Sequence, residues 1–451
     1  MNIDTNKNTR IENSAIIIMG ASGDLTRRKL IPAINRLYEL NQIDDSSIII
    51  GSGRTEFDDD AFRARFDISS NFSSKLFYHQ GLDGLKNYMH SKGDFDNVII
   101  FLALPPAYYA SSAEELYNEG FDKDIRLVIE KPFGYSYESA SKLNSALLKY
   151  YDDSQIFRID HYLGKEAVQN LLVFRFANSL FSQIWNNNYI DSIQINAYES
   201  IGVENRGAYF DKSGIIRDMV QNHLTQLLSL LTMEAPASLD PEDIRSQKMN
   251  VLKNLRVADS YRYQYKGYRD EDGVPADSTT ETYAEVILYI DDYRWYNVPI
   301  YIRTGKALHR KGTEIGVNFK PLPKLLFNKE GTIEPNKIIF KIQPAEGIII
   351  DIASKIPGYN VEIDNTHMSF CYVDSFNSEI PEAYQKLLFD VLIGDRTLFV
   401  SAPETELAWK VFDPILDKGE IKYYEKGVEP KHHFRCKWID FDKYADICSK
   451  D

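Results

Sequence analysis

From Ser14 onward, short runs of aliphatic and β-branched residues alternate with stretches of helical period. Residues 15–19 are wholly apolar, a helical pattern follows to about Leu40, and residues 47–50 are rich in isoleucine. After a polar interval the rhythm resumes with an apolar run at 97–104, a helical pattern over 110–119 and a second run at 125–129. Strands covered on both faces read as continuous apolar runs, and the intervening helices supply the crossovers that parallel pairing requires. The pattern predicts an α/β domain over residues 14–165, built on a doubly wound sheet.

Beyond about Glu166 the pattern changes. Helical stretches at 166–184 and 216–232 surround an alternating run at 192–198, and strand-like runs follow at 281–290, 297–303 and 336–342. Alternation belongs to strands buried on one face, so residues 166–451 are expected to form a larger α+β domain on a mainly antiparallel sheet. Residues 1–13 are polar and read as a flexible tail.

Composition narrows the function. The 52 Lys and Arg residues face 66 Asp and Glu, a formal charge of −14 and a pI near 5.2, which argues against nucleic-acid or anionic-membrane partners. The N-terminus lacks the apolar core of a secretory signal, and no apolar run approaches the roughly 18 residues of a membrane span, so a cytoplasmic protein is expected. Cys371, Cys436 and Cys448 show no metal-ligand spacing. Structural thiols, no disulfide framework and no metal site are therefore expected.

The first strand ends in Gly20-Ala21-Ser22-Gly23-Asp24-Leu25. Two glycines at a strand-to-helix turn make either a simple tight turn or a place where pyrophosphate meets backbone amides and a helix N-terminus. Its position in a βαβ pattern favours the second, a Rossmann site. An NAD site usually carries an acid after the second strand, whereas here that strand leads into Gly51-Ser52-Gly53-Arg54-Thr55. Arg54 is either a fork for a 2′-phosphate, which makes the coenzyme NADP with NAD the weaker alternative, or a surface arginine for which Glu56 and Asp58 compete. Lys131, in the turn Glu130-Lys131-Pro132 after the 125–129 run, stands where it can reach both nicotinamide and substrate.

Residues 158–166 read RIDHYLGKE. With GASGDL at 20–25, LALPP at 102–106, EKPFG at 130–134, GIIRDMVQNHL at 214–224, RTGKAL at 303–308 and GDRTLF at 394–399, the chain closely resembles the glucose-6-phosphate dehydrogenases from about residue 15 to 420. The resemblance implies a Rossmann domain joined to a β+α domain. It implies oxidation of β-D-glucose 6-phosphate at C1 to the 1,5-lactone with reduction of NADP, the first step of the oxidative pentose phosphate pathway, by a homodimer or homotetramer. A dehydrogenase of the glucose-fructose oxidoreductase and inositol dehydrogenase type shares the Glu-Lys-Pro turn but gives no account of RIDHYLGKE.

Residue by residue, the resemblance assigns His223 as general base and Asp160 as its orienter, in keeping with a proton leaving the C1 hydroxyl as hydride leaves C1. It assigns His161, Tyr162 and Lys165 to the sugar phosphate, Glu199 and Asp218 to sugar hydroxyls, Lys306 and Lys311 to further phosphate contacts, and Lys131 to substrate and coenzyme. Lys29 matches a coenzyme lysine, with Tyr109 and Arg27 as weaker coenzyme candidates, and Gly164 is expected to let the following helix begin close to the ligand. Several cations around one dianion supply the positive locus that a −14 chain needs. Thr26 departs from the alanine common in the family, and the run His309-Arg310-Lys311 leaves open which of its cations reaches substrate. The chain ends soon after residue 443, so a single coenzyme site is expected, without a second structural one.

Overall fold

The computed structural model describes residues 10–329, 331–376 and 379–448 of the 451-residue chain. Two compact units emerge. The first is Met1–Lys165 with Pro236–Arg245 and Pro381–Glu406; the second is Glu166–Ala235, Ser246–Ile380 and Leu407–Asp451. The first unit thus draws on two segments distant in sequence.

In the first unit, β1 (Ser14–Met19), β2 (Ile48–Gly53), β3 (Leu76–Gln80), β4 (Asn97–Leu102), β5 (Ile125–Glu130) and β6 (Ile156–Ile159) lie parallel in the order β6-β5-β4-β1-β2-β3. The short strand Phe399–Val400 closes the β6 edge antiparallel. Ile17, Ile50, Ile100 and Leu127 are sealed from solvent within one apolar cluster, which is why these strands carry no polar alternation. Strand order reverses between β1 and β4, the point at whose carboxyl edge doubly wound sheets bind ligands. The helix after β1 opens with a π-helical turn, Thr26–Leu30, and continues as α-helix over Ile31–Glu39 with Pro32 in its first turn. Of the stretch 1–13 expected to be a flexible tail, residues 1–9 lie outside the described residues, while Ile11 is buried and pairs with Ile43 and so is not part of a free tail.

In the second unit nine strands form one sheet. They are β7 (Ile190–Tyr198), β8 (Leu255–Tyr265), β9 (Tyr283–Ile290), β10 (Ile300–Gly305), β11 (Gly312–Phe319), β12 (Lys337–Gln343), β13 (Gly347–Lys355), β14 (Ile363–Cys371) and a last short strand, Ile421–Tyr424. The order is β14-β13-β12-β11-β7-β10-β9-β8, with the last short strand outermost beside β8. Pairing is antiparallel except between β7 and β10 and between β8 and the last short strand. The mainly antiparallel sheet read from the alternation is therefore present. The helical pattern at 216–232 resolves into a π-helical stretch, Ile216–Leu224, followed by α-helix over Thr225–Thr232, whose residues are all buried.

The cysteine expectation is corrected. Cys371, at the end of β14, is joined to Cys448 in a disulfide, and Cys436 alone stays a free thiol. The join follows from docking of the last described segment. Ile439, Phe441 and Tyr444 pack on Ile339 and Ile349, and the buried Lys341 ammonium donates to the carbonyls of Tyr444 at 2.9 Å and Ala445 at 2.6 Å. Partners 77 positions apart leave no spacing signature to read. Burial pushes the Cys436 thiol up to about 12, which makes it a poor nucleophile. Among the described residues no helix is long and apolar enough to cross a membrane.

Candidate active site

The glycine turn of the first unit has its amides divided in two. The Ser52 carbonyl accepts from the amides of Gly20 at 2.8 Å and Ala21 at 3.0 Å, and the Gly20 carbonyl accepts from Gly23 at 2.9 Å. The first two hold the turn against β2 and the third closes the turn on itself. The amides of Ser22, Asp24 and Leu25, at the helix start, have no such carbonyl partner among the described residues, which is the arrangement that receives a phosphate. Thr26 is buried, with its hydroxyl 3.4 Å from the Gly20 carbonyl. Asp24 pairs with Arg28 at 2.8 Å and with Arg27 at 3.5 Å, and Lys29 pairs with Glu382 at 3.1 Å across the surface.

Beyond β2, Arg54 is exposed, and its only hydrogen bond among the described residues runs through its carbonyl, to Gln80. The competition foreseen from Glu56 and Asp58 does not arise among those residues, since neither ion-pairs with Arg54, and Asp58 instead caps the helix Asp59–Arg63 by accepting from Ala61 at 2.7 Å. A cavity of about 420 Å³ is lined by Ser22, Gly23, Asp24, Arg27 and Arg65. Sequence reasoning passed over Arg65; its signal was a second basic residue in the run Arg63-Ala64-Arg65 soon after β2.

At the end of β5 the Lys131–Pro132 peptide is cis. The buried Tyr109 fixes the residue before it, its hydroxyl donating to the Glu130 carbonyl at 2.9 Å and accepting from the Glu130 amide at 3.3 Å. Tyr109 therefore shapes the turn that carries Lys131. Burial pushes the Glu130 carboxyl up to about 8, against the pull of a hydrogen bond from Tyr384 and the charge of Lys131, while Asp160 adds to the rise. Tyr384 comes from the distant segment Pro381–Glu406 and was missed from sequence because nothing near it in the chain marks it.

The segment 158–166 divides by role. Arg158 is fully buried on β6, donating to Asp153 at 2.7 Å and to the Asn144 side-chain oxygen at 3.0 Å, so it serves the sheet. Asp160 is 3% exposed and accepts from the Tyr162 amide at 3.0 Å. His161, Tyr162 and Lys165 are gathered in the turn that follows: the His161 and Tyr162 rings meet edge-on at 5.1 Å, and the Lys165 ammonium stands 5.7 Å from the Tyr162 ring. The His161 ring also lies parallel to that of Tyr384, 6.4 Å away. Gly164 meets a packing constraint of its own. A Cβ there would meet the Ala383 carbonyl at 2.6 Å and Leu387 at 2.9 Å, so the glycine admits the helix Ala383–Ile393.

In the second unit, the register of β7 beside β10 sets Tyr198 opposite Gly305. Because the two strands run parallel, the next residues, Glu199 and Lys306, emerge side by side and form an ion pair. With Asp218, Arg206 and Phe210 they line a cavity of about 140 Å³. Asp218 and His223 both lie on the π-helical stretch, and His223 is 1% exposed. Wide π turns recur at functional sites because they re-aim side chains. Just ahead of the stretch, Gly214 kinks the preceding helix Gly207–Ile215 at a φ of 68°, and a Cβ there would stand 2.4 Å from the Glu281 carboxylate. Glu281 then accepts from the Ile216 amide at 3.2 Å and is held by Arg262 at 2.8 Å. This buried pair was also invisible to sequence reading. Of the basic run, Arg310 is bound by Glu314 and Asp442, His309 pairs with Asp442, and Lys311 is exposed outside the cavity that Lys306 lines.

Known proteins resemble the chain along most of its length. Residues 17–170 match the profile of the glucose-6-phosphate dehydrogenase NAD binding domain, and residues 172–436 that of the glucose-6-phosphate dehydrogenase C-terminal domain. The chain is 40% identical to glucose-6-phosphate 1-dehydrogenase of Bacillus subtilis (strain 168), over 91% of this chain and 92% of that protein. It is 38% identical to the same enzyme of Aggregatibacter actinomycetemcomitans, over 93% and 94%. A solved structure of a glucose-6-phosphate dehydrogenase in complex with its substrate glucose-6-phosphate matches with a TM-score of 0.88 at 34% identity, covering 94% of this chain and 96% of that one. This chain belongs to the glucose-6-phosphate dehydrogenase family.

Proposed function

We propose that this protein oxidises glucose 6-phosphate at C1 to 6-phosphoglucono-1,5-lactone with NADP as hydride acceptor. The observation that carries the reading is the gathering of His161, Tyr162 and Lys165 in one turn beyond β6, on the sheet whose β1 ends in the phosphate-receiving turn. When bound, the nicotinamide takes the hydride that leaves C1. NADP is favoured over NAD by the absence of an acid in Ser52-Gly53-Arg54 and by the Arg54 guanidinium, which makes no ion pair among the described residues. Ser22, Asp24 and Leu25 offer amides to the pyrophosphate, while Gly20, Ala21 and Gly23 shape the turn and Lys29 stands on the adjoining helix.

The chain's own residues then divide the work. His223 removes the C1 hydroxyl proton onto its imidazole, and Asp160 orients that ring and stabilises its charge. Lys165, His161 and Tyr162 hold the phosphate dianion, joined by Lys306 and Lys311. Glu199 and Asp218 accept from sugar hydroxyls, and Lys131 reaches both substrate and coenzyme from a turn fixed by Tyr109. We further assign the protein to the cytoplasm, as a homodimer or homotetramer, opening the oxidative pentose phosphate pathway. The test is steady-state reduction of NADP and of NAD with glucose 6-phosphate and with glucose. The reading expects turnover with the phosphorylated sugar and preference for NADP, and absence of turnover with glucose 6-phosphate overturns it.

A further inference from the structure

The cavity beside the glycine turn carries a guanidinium that no step above uses. Arg65 follows the short helix Asp59–Arg63, and its Nη2 donates to the Ser22 carbonyl at 2.8 Å. The guanidinium carbon lies 4.9 Å from the centre of the Phe57 ring. Ser22 stands beyond the end of β1 and Phe57 follows the end of β2, two strands that run parallel with Met19 opposite Ser52. Arg65 thus bridges the two segments that flank the adenosine ribose in dinucleotide-binding sheets, and the residue after the second strand is the one that meets the ribose 2′ substituent.

Two further facts separate Arg65 from Arg27, the other cation lining the cavity of about 420 Å³. Arg27 is drawn to Asp24, as is the neighbouring Arg28, so their charges are partly spent. No carboxylate pairs with Arg65 among the described residues, and one of its five N–H donors is committed to a carbonyl. A guanidinium stacked on an aromatic ring and anchored at one nitrogen is held in orientation while presenting the rest of its fork. Planar forks of this kind recognise phosphate by paired, charge-assisted hydrogen bonds.

We propose that Arg65 is a second 2′-phosphate ligand, acting with Arg54, and that the pair of guanidiniums sets the preference for NADP over NAD. NAD offers neither guanidinium a phosphate to bind, so the pair rewards NADP alone. The inference rests on the NADP reading above and adds to it a residue that the strand-end position alone does not indicate.

Calorimetric titration of the full-length protein with NADP, NAD and adenosine 2′,5′-bisphosphate tests this without catalysis. Arg65→Gln is expected to weaken NADP and the bisphosphate by about tenfold or more, and NAD by less than about threefold, the loss expected for charge-assisted hydrogen bonds to one phosphate. Unchanged NADP affinity, or equal weakening of NADP and NAD, overturns the proposal. If Arg65→Gln fails to fold, Arg65→Lys carries the same comparison, because it keeps the charge and the packing stem and removes the fork. Wild-type protein that binds NAD as tightly as NADP overturns the NADP reading itself, an outcome distinct from a silent Arg65 substitution in a protein that prefers NADP.

Discussion

Tyr384 hydrogen-bonds the Glu130 carboxyl, and its ring lies parallel to that of His161. A residue from the segment Pro381–Glu406 therefore touches both the turn that carries Lys131 and the turn that gathers the phosphate-binding candidates. Glu130 is the titrating member of this group, with Tyr384, Lys131 and Asp160 as its charged or polar neighbours.

The raised Glu130 pKa fixes the sign of a pH effect. The folded protein keeps the proton up to about 8, whereas the unfolded chain releases it near the usual 4.5. The native state therefore binds more protons between those values, and this group's contribution to stability is complete below about 4.5 and falls away as pH rises toward about 8. Glu130→Gln keeps a neutral hydrogen-bonding side chain and is expected to flatten that slope in urea denaturation followed from about pH 5 to about pH 9. An unaltered slope in the variant would place the titration elsewhere.

His223→Asn is expected to lower kcat by roughly two to four powers of ten while leaving glucose 6-phosphate affinity nearly intact, the signature of a lost general base. Retention of near-normal kcat would remove His223 from the mechanism.

Lys165→Ala is expected to raise the dissociation constant for glucose 6-phosphate by roughly tenfold or more, with a much smaller effect on NADP, since hydrogen bonds to charged groups contribute about 1.5–3 kcal/mol each. Equal effects on the two ligands would indicate general destabilisation.

Gly214→Ala places a Cβ 2.4 Å from the Glu281 carboxylate at a φ of 68°. Backbone strain and overpacking together predict a loss of roughly 2–4 kcal/mol of stability, read from the denaturation midpoint. Because the π-helical stretch Ile216–Leu224 starts two residues on, kcat should fall further than in a variant destabilised equally at a remote surface site.

Cys371→Ser removes a link between positions 77 residues apart and is expected to cost about 2–4 kcal/mol of stability. Wild-type protein under reductant should unfold at the variant's midpoint. A variant as stable as the oxidised wild type would show that the contacts of Lys341, Phe441 and Tyr444 hold the last segment unaided.

How much of this was legible in the sequence depended on whether the signal was local. β1, β2, β4 and β5 were readable because both faces are covered and the runs are unbroken. β3, at the sheet edge, has the half-exposed pattern of Leu76–Gln80, and β6 places the charged Arg158 inside a buried strand, so neither resembles its neighbours. A buried arginine is tolerable only because Asp153 and Asn144 meet it, and such partners cannot be identified from the strand itself. The candidate site divided in the same way. His223, Asp160 and Lys165 stood inside contiguous motifs, whereas Tyr384, Glu281 and Arg65 matter through partners that folding delivers. The disulfide escaped for that reason too.

The parallel pairing of β7 with β10 has a kinetic meaning. Glu199 and Lys306 are 107 positions apart, and all of β8 and β9 lies between them. Parallel neighbours of such separation must close a long loop before any contact rewards it, so pairings of this kind form slowly. The acid and the cation can therefore meet only after the intervening hundred residues have found their own places, and this pair, proposed above to bind substrate, should be among the last features a refolding chain regains.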